Sequence, residues 1–144
     1  MEHLNTLDPY FYLLMRTDLA SMNPGKAAAH GAHAGSLFTH DMGNLAGRET
    51  NASELRLLNM FNQWEASARG FGVAITLAVN GRTLDQVVNF MKMHPDAAAN
   101  MVHDPSYPVT DGDVTHLIPL NTCGYVFGHK PDLRPLLGQF GLMA

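Results

Sequence analysis

Residues 10–34 read YFYLLMRTDLASMNPGKAAAHGAHA, and this stretch decides the fold. Residues 10–16 form a short apolar and aromatic run, the length and composition of a buried strand. Residues 17–23 read as a loop. Asn23-Pro24-Gly25-Lys26 then carries a helix start. An Asn side chain can accept a hydrogen bond from a free N–H of the first turn, and the fixed φ of Pro suits the first helical position. The Ala-rich run from Lys26 to about Asp41 continues as helix, because Ala is the best helix former. Its small side chains, with Gly31 and Gly35, let the helix approach a sheet closely.

Outward from this unit the alternation continues. Residues 43–51 are polar and read as a loop. Asn51 or Ser53 caps a second helix reaching about Ala68, with Leu55, Leu57, Leu58, Met60, Phe61 and Trp64 on its apolar side. Gly70 and Gly72 end it. Residues 73–79 (VAITLAV) are rich in β-branched side chains and read as a strand. Asn80-Gly81 reads as a turn. Thr83 then caps a third helix, with Leu84, Val87, Val88, Phe90 and Met91 facing inward and Pro95 as its stop. Residues 99–102 read as a short strand, 105–113 as a turn-rich segment, 115–119 as extended, 122–127 (TCGYVF) as a strand, and 133–140 as a short final helix. The order β-αα-β-α-β-β-α predicts a three-layer α/β/α fold, with a mixed sheet of about four strands in one domain spanning 1–144. Strands joined through helices are expected to be parallel, and the last strand, which follows a loop, antiparallel.

Composition narrows the function classes. Hydrophobic residues make up 46% of the 144, enough for a sizeable core, and charged residues only 15%. A lone cysteine, Cys123, points to a reducing, cytoplasmic setting. No basic region leading into an apolar run is seen at the N-terminus, and no apolar stretch approaches the roughly 20 residues of a membrane span. The formal charge of −4 argues against a broad basic face. It leaves room for a local basic patch around Arg16, Lys26 and one or more of Arg48, Lys130 and Arg134.

The chemistry concentrates where the first strand hands over to the first helix. Ligands of α/β sheets collect outside the carboxyl ends of strands. A helix N-terminus offers free N–H groups to an anion. Lys26 lies in the first turn, where the helix dipole disfavours a cation; position alone leaves a solvent-facing lysine and a functional one equally open. The glycine and Ser/Thr spacing of a Walker loop is absent.

At this point the sequence resembles the type II peptidyl-tRNA hydrolases. The match to their signature falls at Arg16, Thr17, Asp18, Leu19, Met22, Gly25, Lys26, Ala28, Ala29, His33 and Ala34. The family usually has Gln four residues after the lysine; this chain has His30. Trp64 and residues 70–79 look like the family's Trp-bearing helix and second strand. Met101-Val102-His103-Asp104 resembles the strand ending in its functional aspartate. The family then usually reads Ala-Gly-Arg-Thr, where this chain reads Pro105-Ser106-Tyr107-Pro108. Thr122 matches the second functional threonine, and Thr110 is a candidate for the first.

The resemblance implies hydrolysis of the ester between a peptide and the 3′ ribose of tRNA, by a homodimer, without metal or other cofactor. In that reading Lys26, Asp104 and Thr122 are the catalytic residues. Lys26 supplies positive charge, and Asp104 orients or deprotonates water, directly or through Lys26. His30, Asp18, Arg16 and Thr110 contact substrate, and Asp18 pairs with Lys26 or Arg16. His33 is expected to be buried and structural, His103 a strand-end residue, Tyr107 a locally packed loop aromatic, and Cys123 an inert buried thiol. Two other readings stand beside this one. One is a metal site drawn from His30, His33, His40, His103, Asp104 and His116. The other is a non-catalytic RNA- or protein-binding module on the same fold.

Overall fold

The computed structural model describes residues 6–70 and 72–143. Residues 1–5, which open the stretch read for a leader, and Phe71, inside the 70–79 segment of the resemblance, lie outside the described residues. The elements are β1 (Pro9–Arg16), α1 (Pro24–Ala46), α2 (Ala52–Ala66), β2 (Ala74–Val79), α3 (Gly81–Lys92), β3 (Ala98–Asp111), β4 (Val114–His129) and α4 (Lys130–Leu137). They form one mixed sheet in the order β2-β1-β4-β3, with β2 parallel to β1 and β4 antiparallel to both of its neighbours. The expected element order and four-stranded α/β/α layering are met. Among the described residues no helix is long and apolar enough to cross a membrane.

Strand alternation divides the core between the two faces of the sheet. Phe11 and Met15 of β1, with Cys123, Tyr125 and Phe127 of β4, face α1 and α2. Tyr12 and Leu14, with Val126, face α3 and α4. On the first face α1 lays down the stripe His30, Ala34, Phe38, Met42 and Leu45. Phe38 is the hub, its ring centroid 4.8–5.4 Å from those of Phe11, Phe61, Trp64, Tyr125 and Phe127. Trp64 also donates from Nε1 to the Val73 carbonyl at 2.8 Å. Gly72, at φ +71°, passes so close that a Cβ there would lie 2.2 Å from the indole.

Several boundaries differ from the sequence reading. Helix α1 runs through Gly43 to Ala46, because Met42 and Leu45 are buried and packing overrides a weak helix former. Asn51 caps α2 in a full capping box with Glu54, leaving Ser53 inside the helix. Asn80 rather than Thr83 caps α3: its side chain accepts the Thr83 N–H, so the expected turn is the first step of the helix. Leu55 and Phe90 are 53% and 62% exposed, outside the faces that pack. Helix α4 begins at Lys130 and ends at Leu137, three residues early at both ends.

The largest difference lies between Asp104 and Thr122. The expected short strand, turn-rich segment and extended piece are one β3–β4 hairpin, closed by the two residues Gly112 and Asp113 between the paired Asp111 and Val114. Gly112 has φ +59°, the left-handed conformation such a loop asks of its first residue. Pro105 and Pro108 are tolerated because β3 is an edge strand, where a missing N–H breaks no ladder bond.

Candidate active site

The Asn23 side chain accepts the Lys26 N–H at 2.9 Å, and Pro24 opens α1 as expected. From that start, Lys26, His30, His33 and Leu37 recur at helical spacing along one side of α1. His30, His33 and Leu37 form one wall of a cleft of about 420 Å³. Met101, Val102, His103, Asp104 and Pro105 of β3 form the other.

His30 is the centre of the polar contacts. Its ring is buried, with Nδ1 3.0 Å from Thr122 Oγ1 and Nε2 3.9 Å from Asp104 Oδ2. Burial pushes its pKa below the ordinary histidine value. The Asp104 carboxylate opposes that push, while His33 and Lys26 add to it. The ring is therefore neutral near pH 7, with one donor and one acceptor nitrogen. The carboxylate favours N–H at Nε2, which leaves Nδ1 to accept from the Thr122 hydroxyl.

Thr122 reaches His30 through a defect in the strand pairing. Asn121 faces His103 and Cys123 faces Val102, so Thr122 is one extra residue in β4, a bulge. The bulge turns Thr122 and Cys123 toward the same helix: the hydroxyl meets the His30 ring, and the thiol donates to the His30 carbonyl at 3.4 Å. Thr122 has no exposed surface, so it positions His30 and does not touch substrate. Cys123 is equally buried, and burial pushes its thiol up to about 12, which makes it inert as a nucleophile.

Asp104 lies beside a second bulge, where two residues of β3, Pro105 and Ser106, face Pro119 alone. Its Oδ1 accepts the Ser106 N–H at 2.9 Å, and Oδ2 is left facing His30. A 3.9 Å separation is too long for a direct hydrogen bond and fits a bridging water. The side chain is 26% exposed, so water has access. Lys26 is half-buried, its Nζ 5.4 Å from the centroid of the Tyr107 ring. Among the described residues no carboxylate lies within 4.0 Å of the Lys26 ammonium, so no ion pair joins Lys26 to Asp104; the charges of both bear on His30, in opposite directions.

Other expected members stand elsewhere. Arg16 grips Asp18 with two hydrogen bonds of 2.9 and 3.0 Å and donates to the Asn121 carbonyl. Asp18 also accepts the Gly81 N–H, and the Arg16 hydrogen bonds hold its carboxyl below the usual carboxylate range. The pair clamps the loop after β1 to the start of α3 and has little left for substrate. Thr110 faces Thr115 near the hairpin tip, at 3.3 Å. Seven residues of β4 separate Thr115 from Thr122, about 23 Å of strand, so Thr110 does not stand in for a threonine beside Asp104.

His33 is exposed, contrary to the buried role expected of it. The packing stripe of α1 passes through His30 and Ala34, and His33 falls on the cleft side. His103 is a mid-strand residue at a bulge, bonded to Asn121 at 2.9 Å. Tyr107 packs locally, as expected, though from a strand. It is the buried floor beneath Lys26, its hydroxyl bonded to Ser21, a residue the sequence reading did not single out. Of the expected basic patch, Arg16 is held by Asp18 and the Asn121 carbonyl, and Lys26 lies over Tyr107. Arg48 follows the far end of α1 and pairs with Glu54, and Lys130 lies at the opposite end of β1, over Tyr10. Arg134 sits on α4, against the other face of the sheet. Of the candidate metal ligands, His40 and His116 stand apart from the cleft. Among the described residues no three His, Cys, Asp or Glu side chains are grouped to hold a metal ion.

A neutral buried His30 has a consequence for stability. Above the ordinary value of 6.5 its contribution is fully present. As pH falls below that value the unfolded chain takes up a proton that the folded chain resists, so stability is lost. Denaturation midpoints measured from about pH 8 to about pH 5 are expected to fall more steeply for wild type than for His30→Gln, which keeps a hydrogen-bonding group and cannot titrate.

No protein-family model matches the chain, and no curated protein matches it.

Proposed function

We propose that this chain hydrolyses the ester joining a peptide to the 3′ ribose of tRNA, in the cytoplasm. The observation that supports this most is a neutral imidazole from α1 and a carboxylate from β3 lining one water-accessible cleft, with the Lys26 ammonium, one helical turn before His30, near enough to bear on its charge. Ester hydrolysis asks for that combination: a group to take a proton from water, and a positive charge for the developing oxyanion.

In the proposed reaction a water held between Asp104 and His30 attacks the ester carbonyl carbon. Its proton passes to Asp104. The carbonyl electron pair moves to oxygen, where the Lys26 ammonium stabilises it. Collapse re-forms the carbonyl and breaks the bond to the ribose oxygen, which takes the proton back. Thr122 holds the imidazole in place. Neutral His30 fixes the water without adding a second positive charge next to Lys26.

Release of peptide from a peptidyl-tRNA by wild type and Lys26→Ala tests this. Loss of the ammonium is expected to cost about 10²–10³-fold in turnover, the size of a removed oxyanion donor. Wild-type protein that releases no peptide defeats the reading. The net charge of −4 and the substituted residues after Asp104 then favour a non-catalytic binding module.

A further inference from the structure

Tyr107 is almost wholly buried, with 1% of its surface exposed. Its place follows from the second bulge. Asp104 pairs with Leu120 and Tyr107 with Ile118, so β3 advances three residues where β4 advances two. Side chains alternate along a strand, and an odd separation would turn Asp104 and Tyr107 to opposite faces. The extra residue cancels that turn and brings both under α1. There the Tyr107 ring lies 6.0 Å from the His30 ring, and the Lys26 Nζ lies 5.4 Å from its centroid. The Tyr107 hydroxyl is bonded to Ser21 Oγ at 2.9 Å, and Ser21 Oγ also reaches the Pro108 carbonyl at 3.2 Å. Ser21 stands two residues before Asn23, the cap of α1. The ring is therefore tied both to its own strand and to the loop that launches α1.

We infer that Tyr107 is a positioning residue of this site: the face of its ring, in place of a carboxylate, holds the Lys26 ammonium beside His30. Lys26 needs such a hold. The helix dipole disfavours a cation in the first turn. Among the described residues no carboxylate lies within 4.0 Å of the ammonium. The negative face of an aromatic ring attracts a cation within about 6 Å of its centroid. The kind of partner matters for the ester-hydrolysis reading, on which this inference rests. A carboxylate would cancel the charge that Lys26 offers to an oxyanion, whereas a ring face carries no net charge and leaves it whole. The same ring packs against His30, so one buried group sets the place of both α1 side chains of the proposed reaction. Tyr107 acts through Lys26 and His30 and does not touch substrate.

NMR of lysine-labelled protein, with turnover of Tyr107→Phe and Tyr107→Leu, tests this. The chain has three lysines, Lys26, Lys92 and Lys130, and the signal lost in Lys26→Arg identifies that of Lys26. Protons held over an aromatic face resonate upfield. The Lys26 ε-methylene is expected upfield of free lysine in wild type and Tyr107→Phe, and back at the free position in Tyr107→Leu. In release of peptide from peptidyl-tRNA, Tyr107→Phe is expected to stay within a few-fold of wild type. Tyr107→Leu is expected to lose about 10-fold or more in kcat while KM changes little. A wild-type Lys26 signal at the free position overturns the inference, with or without hydrolysis. So does Tyr107→Phe as slow as Tyr107→Leu, which would assign the role to the hydroxyl, or Tyr107→Leu at the wild-type rate. An upfield Lys26 signal in a wild type that releases no peptide bears out the hold on Lys26 and defeats the ester-hydrolysis reading alone.

Discussion

Asp104→Asn is expected to slow release of peptide from peptidyl-tRNA by about 10²–10⁴-fold, the range for losing a positioned proton acceptor. The amide keeps the shape of the carboxylate and can still accept the Ser106 N–H. It cannot take a proton, and it removes the charge that favours N–H at His30 Nε2. Since the side chain is partly exposed and makes one local hydrogen bond, the thermal midpoint is expected to stay near that of wild type. Turnover and thermal midpoint measured on the same preparation separate lost chemistry from lost fold. A large drop in both would make Asp104 a structural residue.

Phe38→Ala is expected to cost about 3–5 kcal/mol of stability. It removes the ring that five other aromatic rings surround, in a place where 1% of the residue reaches solvent. Those neighbours come from β1, α2 and β4, so the void cannot close by moving one side chain. For a domain of this size the loss corresponds to a fall of about 10–20 °C in Tm. Because α1 also carries Lys26 and His30, turnover should fall at temperatures below the new midpoint as α1 loosens. A change of less than about 1 kcal/mol would contradict the placement of Phe38 at the hub.

The parts of the fold that read well from sequence rest on local signals. The apolar run of β1 and the Asn23-Pro24 cap each act within a few residues of themselves, and both stand where they were expected. The hairpin did not read well, since its strands are held by pairing partners distant in sequence. Pro105 and Pro108 look like punctuation until β3 is known to be an edge, and Pro119 until β4 is seen to run past the end of its pairing with β1. Thr122 was legible as a site residue through the family resemblance, but its role was not. The bulge that buries it against His30 depends on the register between β3 and β4, which no local pattern encodes. His33 was misjudged for a related reason. An Ala-rich helix shows that one side packs, but the phase of the stripe is set by Phe38, Met42 and Leu45 further along. Arg16 and Asp18 were legible as a charged pair, and Gly81, the third member of their clamp, comes from a helix start 63 residues beyond Asp18.

The most direct measurement is single-turnover release of peptide from peptidyl-tRNA by wild type, Lys26→Ala, Asp104→Asn and the double variant. If the ammonium and the carboxylate serve one step, the double variant is expected to be no more than a few-fold slower than the slower single variant. Four equal rates, or losses that multiply in full, contradict a shared step at the His30 cleft.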